Sequence, residues 1–325
     1  MVNREGGKVE LMEPVIILVG PTASGKTGLS IELAKLINGS IVSADSMQIY
    51  KYMDIGTAKP DAIERSGIRH YMIDEVNPDE NFSVAKYREM AMKYISQIID
   101  EKGHPIVAGG TGLYINSLLY NINFSETICD EELREALKAE ADEKGNRYLY
   151  DKLLAVDPEA AKKIHENDVK RVIRAIEVFT HTNMPISQHA QLSRLEPPPY
   201  RYIVFGLNWD RSKLYNRIDK RVDKMLQSGL VEEVKSLMEM DYDKGTTAMQ
   251  GIGYKEILNY LKGEYSLDET VYILKRDSRH YAKRQLTWFR RLEGIQWLEV
   301  DENTDSKELA EKIIQECIAT YGIIL

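Results

Sequence analysis

The stretch Val15-Ile-Ile-Leu-Val-Gly-Pro-Thr-Ala-Ser-Gly-Lys-Thr27 decides the fold of this chain of 325 residues. Its first five residues form an uninterrupted apolar run, which is typical of a strand buried on both faces of a parallel sheet. The next eight residues fit the pattern G-x-x-x-x-G-K-T, and a helical pattern follows over residues 29–37. A strand, a glycine-rich loop and a helix in this order predict a phosphate-binding loop.

The predicted loop consists of Gly20, Pro21, Thr22, Ala23, Ser24, Gly25, Lys26 and Thr27. Its glycines let the backbone wrap closely, so that successive amides and the helix N-terminus point at phosphate oxygens. We expect Lys26 to neutralise the distal phosphate and the Thr27 hydroxyl to hold Mg²⁺. The pattern does not identify the phosphorylated compound, because a diphosphate ester would satisfy it as well as a nucleotide.

Strands and helices alternate over the rest of residues 1–123. Apolar runs at residues 40–44, 71–76 and 105–108 predict strands, and residues 84–99 predict an amphipathic helix. Alternation of this kind indicates an α/β fold with a P-loop NTPase-like parallel sheet core flanked by helices. Ligands of such sheets lie beyond the carboxyl ends of the strands.

The chain after residue 123 is predicted to be mostly helical. Residues 124–198 have only helical patterns, at 131–144, 147–155 and 168–180, and end at Pro197-Pro-Pro199. We therefore predict a helical insertion domain over residues 124–198. Residues 199–325 are predicted to return to the core through a strand at 202–207. They continue as helices at 212–240, 254–261 and 268–292, followed by a short strand at 295–300.

Two polar residues follow predicted strands beside the phosphate-binding loop. Asp45 stands in Ser43-Ala-Asp-Ser-Met-Gln-Ile-Tyr50, and its position suits a magnesium ligand, a helix N-cap or a general base. Thr111 stands in a second glycine-rich turn, Gly109-Gly-Thr-Gly-Leu-Tyr114. It either donates to substrate oxygens or belongs to a tight turn chosen for its geometry. Both residues are candidates for one site at the carboxyl edge of the sheet.

Charge is segregated along the chain. The 43 basic and 51 acidic side chains give a net charge of −8, which taken alone argues against a nucleic-acid partner. Residues 161–300, however, hold 24 basic and 19 acidic side chains, whereas residues 1–160 hold 17 and 26. Mean hydropathy is −0.38, and no apolar run is long enough for a membrane span or a signal peptide. We therefore expect a cytoplasmic protein with no membrane partner.

The helix predicted over residues 268–292 carries much of the positive charge. At 100° per residue, its basic side chains share an arc of about 140°, interrupted only by Asp277 near the edge. This basic strip consists of Arg276, Arg279, His280, Lys283, Arg284, Thr287, Arg290 and Arg291. The opposite side carries Leu274, Tyr281, Trp288, Phe289 and Leu292. A solvated face usually mixes signs, so the strip fits a polyanion-binding surface as well as plain surface.

Two other site chemistries lack support. Only Cys129 and Cys317 are present, and the six histidines show no metal-ligand spacing, so we expect no protein zinc site. A Ser-His-Asp hydrolase is not expected either, because no G-x-S-x-G elbow is found.

Seven ordered motifs resemble those of the tRNA dimethylallyltransferase (isopentenyltransferase) family, bacterial type, over about residues 14–300. Three are the loop and the two strand-end motifs described above. The other four are Asp54-Ile-Gly-Thr-Ala-Lys-Pro60, His165-Glu-Asn-Asp168 with Arg171 and Arg174, Met249-Gln-Gly-Ile-Gly-Tyr-Lys255, and Tyr281-Ala-Lys-Arg-Gln-Leu-Thr-Trp-Phe-Arg290.

The resemblance implies transfer of a dimethylallyl group from dimethylallyl diphosphate to N6 of the adenosine 3′-adjacent to the anticodon of tRNA. It implies that the loop from Gly20 to Thr27 binds the donor's diphosphate, with Mg²⁺ at Thr27. Asp45 would accept the N6 proton, and Thr111 would lie in the reaction channel. Arg217, a surface cation by its spacing alone, would hold diphosphate.

The same resemblance implies two partners, the tRNA anticodon loop and dimethylallyl diphosphate, and we expect the protein to be a monomer. The residues expected to contact tRNA are Asp45, Ser46, Met47, Gln48, Thr111, Arg134, Lys170, Arg171, Val172, Ile173, Arg174, Gln250, Gly251, Ile252, Gly253, Tyr254 and Lys255. Arg276 and Lys283 join them from the basic strip.

Three other functions fit part of the sequence. A small-molecule P-loop kinase would use the loop for ATP and Asp45 as base, but it leaves the basic strip without a role. An adenylate isopentenyltransferase would perform the same chemistry on a free nucleotide, and the basic C-terminal half favours a larger acceptor. An RNA-binding module with a vestigial nucleotide site is disfavoured by the intact Lys26, Thr27 and Asp45.

Overall fold

The structure, a computed structural model, describes residues 12–122, 130–193, 196–242 and 245–323. Internal contacts divide the chain into two compact units. One consists of Met1–Ile115 and Pro199–Leu325, and the other of Asn116–Pro198. The predicted start of the insertion at residue 124 and the cysteine Cys129 lie outside the described residues.

A parallel sheet forms the centre of the first unit. Within the described residues it has six strands, β1 (Pro14–Val19), β2 (Gly39–Ser43), β3 (His70–Tyr71), β4 (His104–Gly109), β5 (Arg201–Trp209) and β6 (Gln296–Val300). Their order is β3-β2-β4-β1-β5-β6, and every neighbouring pair is parallel. Because β1 has a strand on each side and its residues 15–19 are at most 1% exposed, its continuous apolar run is explained. The predicted parallel α/β fold is confirmed.

The edge of the sheet differs from its prediction. Only His70–Tyr71 pairs with β2, whereas Val76 contacts Tyr50 through an isolated bridge. Met72 and Asp74 have positive φ angles of 63° and 59°, which take the chain out of the strand conformation. The strand predicted over residues 71–76 is therefore wrong beyond its first residue.

Helices pack on this sheet and line its carboxyl edge. They are α1 (Lys26–Leu36), α2 (Val84–Asp100), α3 (Gly112–Leu119), which contains the unit boundary, α9 (Arg211–Gln227), α10 (Leu230–Glu239), α11 (Tyr254–Leu261), α12 (Leu267–Phe289) and α13 (Ser306–Tyr321). Leu29 and Leu33 of α1 share a buried apolar cluster with Ile16 and Leu18 of β1. α13 joins the same cluster, and the sequence patterns above do not predict it. The cluster fixes the start of α1 directly after the phosphate-binding loop.

The single helix predicted over residues 212–240 is wrong. Gly229 has a φ angle of 98°, a conformation that interrupts a helix, and it separates α9 from α10. The break matters because α10 then takes its own direction and carries Glu233 to the loop at residues 54–56.

The second unit is helical. Its helices are α4 (Glu131–Lys144), α5 (Asn146–Val156), α6 (Pro158–Ala161), α7 (Val169–Thr182) and α8 (Ile186–Ser193). Apolar side chains of α4, α5, α6 and α7 form its core. Buried Asp157 caps α6 through the Ala160 amide at 2.9 Å and binds the amide and hydroxyl of Ser187 at 2.9 and 2.6 Å. Across both units, no helix in the described ranges is long and apolar enough to cross a membrane.

Candidate active site

The phosphate-binding loop is held from its carbonyl side by β5 and α9. Nε1 of Trp209 donates a 3.0 Å hydrogen bond to the Ser24 carbonyl, and Nε of Arg217 donates one of 3.0 Å to the Ala23 carbonyl. The Arg217 guanidinium also stacks 4.5 Å from the centroid of the Trp209 ring. Arg217 is therefore fixed on the carbonyl side of the loop, and it lines neither of the two cavities described below.

Lys26 begins α1 at the floor of the loop. Its Nζ donates to the Gly20 and Pro21 carbonyls at 3.0 and 2.8 Å. Burial lowers the Lys26 pKa to about 8, with a smaller contribution in the same direction from Arg221 and an opposing one from Asp45. Because a bound phosphate would favour the charged form, the site is suited to an anion rather than to a neutral ligand.

The ends of β2 and β4 bring Asp45 and Thr111 together. The Thr111 amide donates to the Ala44 carbonyl at 3.0 Å, and Oγ1 of Thr111 accepts the Ser46 amide at 2.9 Å. Oδ1 of Asp45 accepts the Met47 amide at 2.9 Å. Both candidates therefore lie at one edge of the sheet, as their positions after strands predict.

The second glycine-rich turn is explained by close contacts. A Cβ atom at Gly109 would lie 2.2 Å from the Ala44 carbonyl oxygen, and one at Gly110 would lie 2.3 Å from Nε2 of Gln285. At Gly112 a Cβ would lie 2.3 Å from the Trp288 ring. None of these three glycines has a positive φ angle. The turn is therefore a contact surface for the end of β2 and for α12.

Two cavities meet at this edge. The first, of about 640 Å³, has Lys26 and Thr27 in its wall. The second, of about 1070 Å³, has an apolar wall that includes Ile218, Val222 and Leu274. They share the lining residues Thr22, Asp45, Thr57, Arg221 and Tyr281. The shared wall places Asp45 at the boundary between the cavity of the phosphate-binding loop and the larger cavity.

Most of the residues that the first unit contributes to the expected tRNA contacts line the larger cavity, but Thr111 and Lys255 line neither cavity. Asp45, Ser46, Met47 and residues 250–254 line the larger cavity, whereas Gln48 lines the smaller cavity. Met47 contacts Gly251 so closely that a Cβ there would lie 2.4 Å from the methionine methyl group. The two sequence motifs thus form one surface although about 200 residues separate them.

The basic strip on α12 is partly neutralised. Arg276 forms an ion pair with Asp277 at 2.8 Å, and Arg279 forms one with Asp219 of α9 at 2.5 Å. Arg290 and Arg291 lie beyond the end of α12 at Phe289. Trp288, expected on the core side, is 37% exposed. Lys283 and Arg284 are therefore the residues of the basic strip that best match the prediction, because both are exposed cations on α12. Arg284 also lines the larger cavity.

The second unit carries the remaining residues expected to contact tRNA. Arg134 of α4 and Arg174 of α7 both bind the fully buried Glu177, at 2.8 and 2.5 Å. Lys170 and Arg171 are exposed. Val172 and Ile173 are 0% and 8% exposed and belong to the core of this unit, so that their side chains support the helix rather than its surface.

Three residues at the site of the first unit are not among the site residues predicted from the sequence. Arg221 lines both cavities and stands four residues after Arg217 on α9, a helical spacing that could have indicated it. Gln285 binds both glycine-rich turns, and Glu233 binds the loop at residues 54–56. No local signal indicates the latter two, because their partners lie far away in sequence.

Comparisons with known proteins identify the family of this chain. The sequence model of the IPP transferase family matches residues 48–292. A tRNA dimethylallyltransferase of Acetivibrio thermocellus is 63% identical over 314 residues, which cover 97% of this chain and all of that protein. The crystal structure of a tRNA isopentenylpyrophosphate transferase from Staphylococcus epidermidis is 44% identical, with a TM-score of 0.69 and coverage of 94% and 98% of the two chains. A eukaryotic dimethylallyltransferase, crystallised acting on tRNA, is 28% identical, with a TM-score of 0.81 and coverage of 96% and 81%. The chain therefore belongs to the IPP transferase family.

Proposed function

We propose that this protein transfers a dimethylallyl group from dimethylallyl diphosphate to N6 of the adenosine 3′-adjacent to the anticodon in tRNA. The observation that carries the proposal is the common wall of the two cavities, where Asp45 lies between a phosphate-binding loop and a larger, partly apolar cavity. An enzyme that transfers an alkyl group from a diphosphate ester to a bulky acceptor needs one compartment for each substrate and a base at their junction.

The smaller cavity fits the diphosphate. Lys26 and Arg221 line this cavity, and Arg217 is held beside the loop through the Ala23 carbonyl. Their positive charge, together with the amides of the loop, would stabilise diphosphate as it leaves. Burial of Lys26 strengthens its interaction with a bound anion, because fewer water molecules screen the charges.

The reaction places specific demands on Asp45. The bond between C1 of the donor and the diphosphate oxygen breaks as a bond forms from N6 of adenosine to C1, and the N6 proton must leave. The exocyclic amine is a weak nucleophile, so a carboxylate within hydrogen-bond reach assists by accepting this proton. Asp45 takes this role in the proposal, and Thr111 orients the acceptor beside it.

Mg²⁺ is proposed as the cofactor. Among the described residues, no group of three or more His, Cys, Asp or Glu side chains could hold a metal ion by itself. Mg²⁺ commonly uses one or two protein oxygens and takes its remaining ligands from phosphates and water. The exposed Thr27 hydroxyl at the start of α1 fits such a site, and the ion would supply further neutralisation of the leaving diphosphate.

Recognition of tRNA is assigned to two groups of residues. One includes residues 45–47 and 250–254 around the larger cavity, with Gln48 at the smaller cavity and Lys255 next to residue 254 in sequence. The other lies in the second unit and includes Arg134, Lys170, Arg171 and Arg174. An adenine in an anticodon loop must leave its stack to reach a buried donor, and contacts with the rest of the loop offset the cost of this extrusion.

The proposal is tested by incubating the protein with magnesium, dimethylallyl diphosphate and undermodified tRNA, followed by nucleoside analysis. N6-dimethylallyladenosine at the position next to the anticodon is the expected product. A parallel reaction contains adenosine monophosphate in place of tRNA. We expect no prenylated nucleotide from it, whereas an adenylate isopentenyltransferase would form one. Turnover of ATP on a small acceptor, without prenylated adenosine, would favour a kinase instead.

A further inference from the structure

Gln285 is a buried polar side chain between the two glycine-rich turns. It lies on α12 and is 6% exposed. Its Oε1 accepts a hydrogen bond from the Thr22 amide at 2.8 Å, and its Nε2 donates one to the Gly110 carbonyl at 2.9 Å. One side chain thus joins the phosphate-binding loop to the turn that carries Thr111.

Both hydrogen bonds end on main-chain atoms. Thr22 and Gly110 are 263 and 175 residues away from Gln285 in sequence, so only the folded chain creates this contact. The absence of a side chain at Gly110 lets the amide approach, since a Cβ would lie 2.3 Å from Nε2. The length of Gln285 therefore sets the spacing of two backbones.

The contact continues to the acceptor side of the site. Tyr281 lies one turn before Gln285 on α12. Burial raises the pKa of Tyr281, and the nearby side chains of Thr111 and Gln285 act in the opposite direction. Thr111 in turn accepts the Ser46 amide at 2.9 Å, next to Asp45. The network therefore runs from the predicted diphosphate site to the predicted base.

We propose that Gln285 is a positioning residue for the transfer reaction. It fixes the separation between the donor's diphosphate and the turn that carries Thr111. The inference rests on the proposed dimethylallyl transfer. Reacting atoms must lie about 3–3.5 Å apart, and a misplacement of about 1 Å reduces the rate by about 100-fold. A side chain that fixes the two turns relative to each other therefore acts on kcat more than on donor binding.

The first test replaces Gln285 with Met, which keeps the length of the side chain and removes both hydrogen bonds. We expect kcat to fall by about 10- to 100-fold, while inhibition by inorganic diphosphate changes by less than about threefold. Gln97→Met is the matched control, because the side chain of Gln97 of α2 binds Glu101 and is not among the residues that line either cavity. A wild-type kcat in folded Gln285→Met would overturn the inference.

Gln285→Glu tests the role of the two hydrogen bonds through the pH dependence of kcat, a result that a misfolded variant would not reproduce. A carboxylate cannot donate to the Gly110 carbonyl, whereas the protonated acid both donates and accepts, as the amide does. The kcat of this variant relative to the wild type should therefore rise as the pH is lowered. A ratio that stays flat or falls contradicts the positioning role.

A double-mutant cycle with Thr111→Val tests the coupling. If Gln285 acts through the position of Thr111, the combined loss of kcat should be smaller than the product of the two single losses. Losses that multiply would mean independent roles and would overturn the inference. Transfer by the wild-type protein in the same assay distinguishes failure of the proposed function from failure of this inference. If the wild type transfers no dimethylallyl group, both are wrong. If the wild type is active and Gln285→Met is equally active, only the inference about Gln285 is wrong.

Discussion

The hydroxyl of Tyr254 donates a 2.6 Å hydrogen bond to Oε1 of Glu233. The same carboxylate accepts the amides of Asp54, Ile55 and Gly56 at 2.9, 2.7 and 3.1 Å. Gly56 lies against the Tyr254 ring, where a Cβ would approach the ring to 2.5 Å. One carboxylate of α10 therefore fastens the loop at residues 54–56 to the first residue of α11, and Gly56 and Tyr254 both line the larger cavity.

Glu233→Gln should loosen the loop at residues 54–56 and the start of α11. A neutral amide accepts hydrogen bonds more weakly than a carboxylate, and bonds to charged groups contribute about 1.5–3 kcal/mol each. We expect the free energy of unfolding to fall by about 1–3 kcal/mol and the tRNA KM to rise. Urea unfolding and steady-state kinetics measure these changes. Glu232→Gln, a neighbour on the same helix, is the control and should alter neither quantity.

Donor use should depend on the charge of Lys26. Because burial lowers the pKa of Lys26 to about 8, the free enzyme holds this cation below pH 8 and loses it above. We expect kcat/KM for dimethylallyl diphosphate to decline by up to about tenfold per pH unit above pH 8. Lys26→Met should have a low kcat/KM at every pH, and its pH profile should lack the decline above pH 8. A wild-type profile without a bend between pH 7 and 9 would contradict the assignment.

Asp45→Asn should separate chemistry from binding. Asparagine keeps a side-chain oxygen for the Met47 amide, which the wild-type Oδ1 binds at 2.9 Å, so the local turn is preserved. We expect tRNA affinity within about threefold of the wild type and a loss of about 100- to 10,000-fold in single-turnover rate. An unchanged rate would remove Asp45 as the base.

The basic strip should contribute unequally to tRNA binding. Arg279 is paired with Asp219, whereas Lys283 has no ion-pair partner among the described residues. Lys283→Ala should therefore reduce the salt dependence of tRNA binding by about one charge, measured as the slope of log K against log salt. The effect of Arg279→Ala should be smaller, because Asp219 already offsets its charge. Equal slopes for both variants and the wild type would assign the strip to plain surface.

The ionised Glu177 side chain should stabilise the second unit near neutral pH, and this contribution should decrease at acidic pH. Its burial raises the pKa, but hydrogen bonds from Arg134, the Asp130 amide and Arg174 outweigh this effect and leave the pKa below its usual value. A depressed pKa means stability that is present above the unfolded pKa and is lost as the pH falls through the folded one. Glu177→Gln should lower the free energy of unfolding by about 1–3 kcal/mol at pH 7, with a smaller difference near pH 3. Thermal unfolding monitored at both pH values provides the check.

The sequence predicts correctly those elements that depend on residues close together in sequence. The apolar run at 15–19, the glycine-rich loop and the helix after it are contiguous, and the structure has them as β1, the loop and α1. Asp45 and Thr111 were placed at one edge because parallel strands end on the same side of a sheet. The helix predicted over 212–240 failed because apolar periodicity continues through Gly229, and a single backbone angle ends α9.

The sequence by itself determined the family of the fold, the phosphate-binding loop and the strand-end residues, because each is encoded in a short segment with its own periodicity or spacing. Only the tertiary structure decided which cations are paired and which polar side chains hold the site together. Asp219 lies 60 residues from Arg279, and Gln285 lies 263 residues from Thr22. Contacts over such distances follow from strand order and helix packing, which no local pattern records.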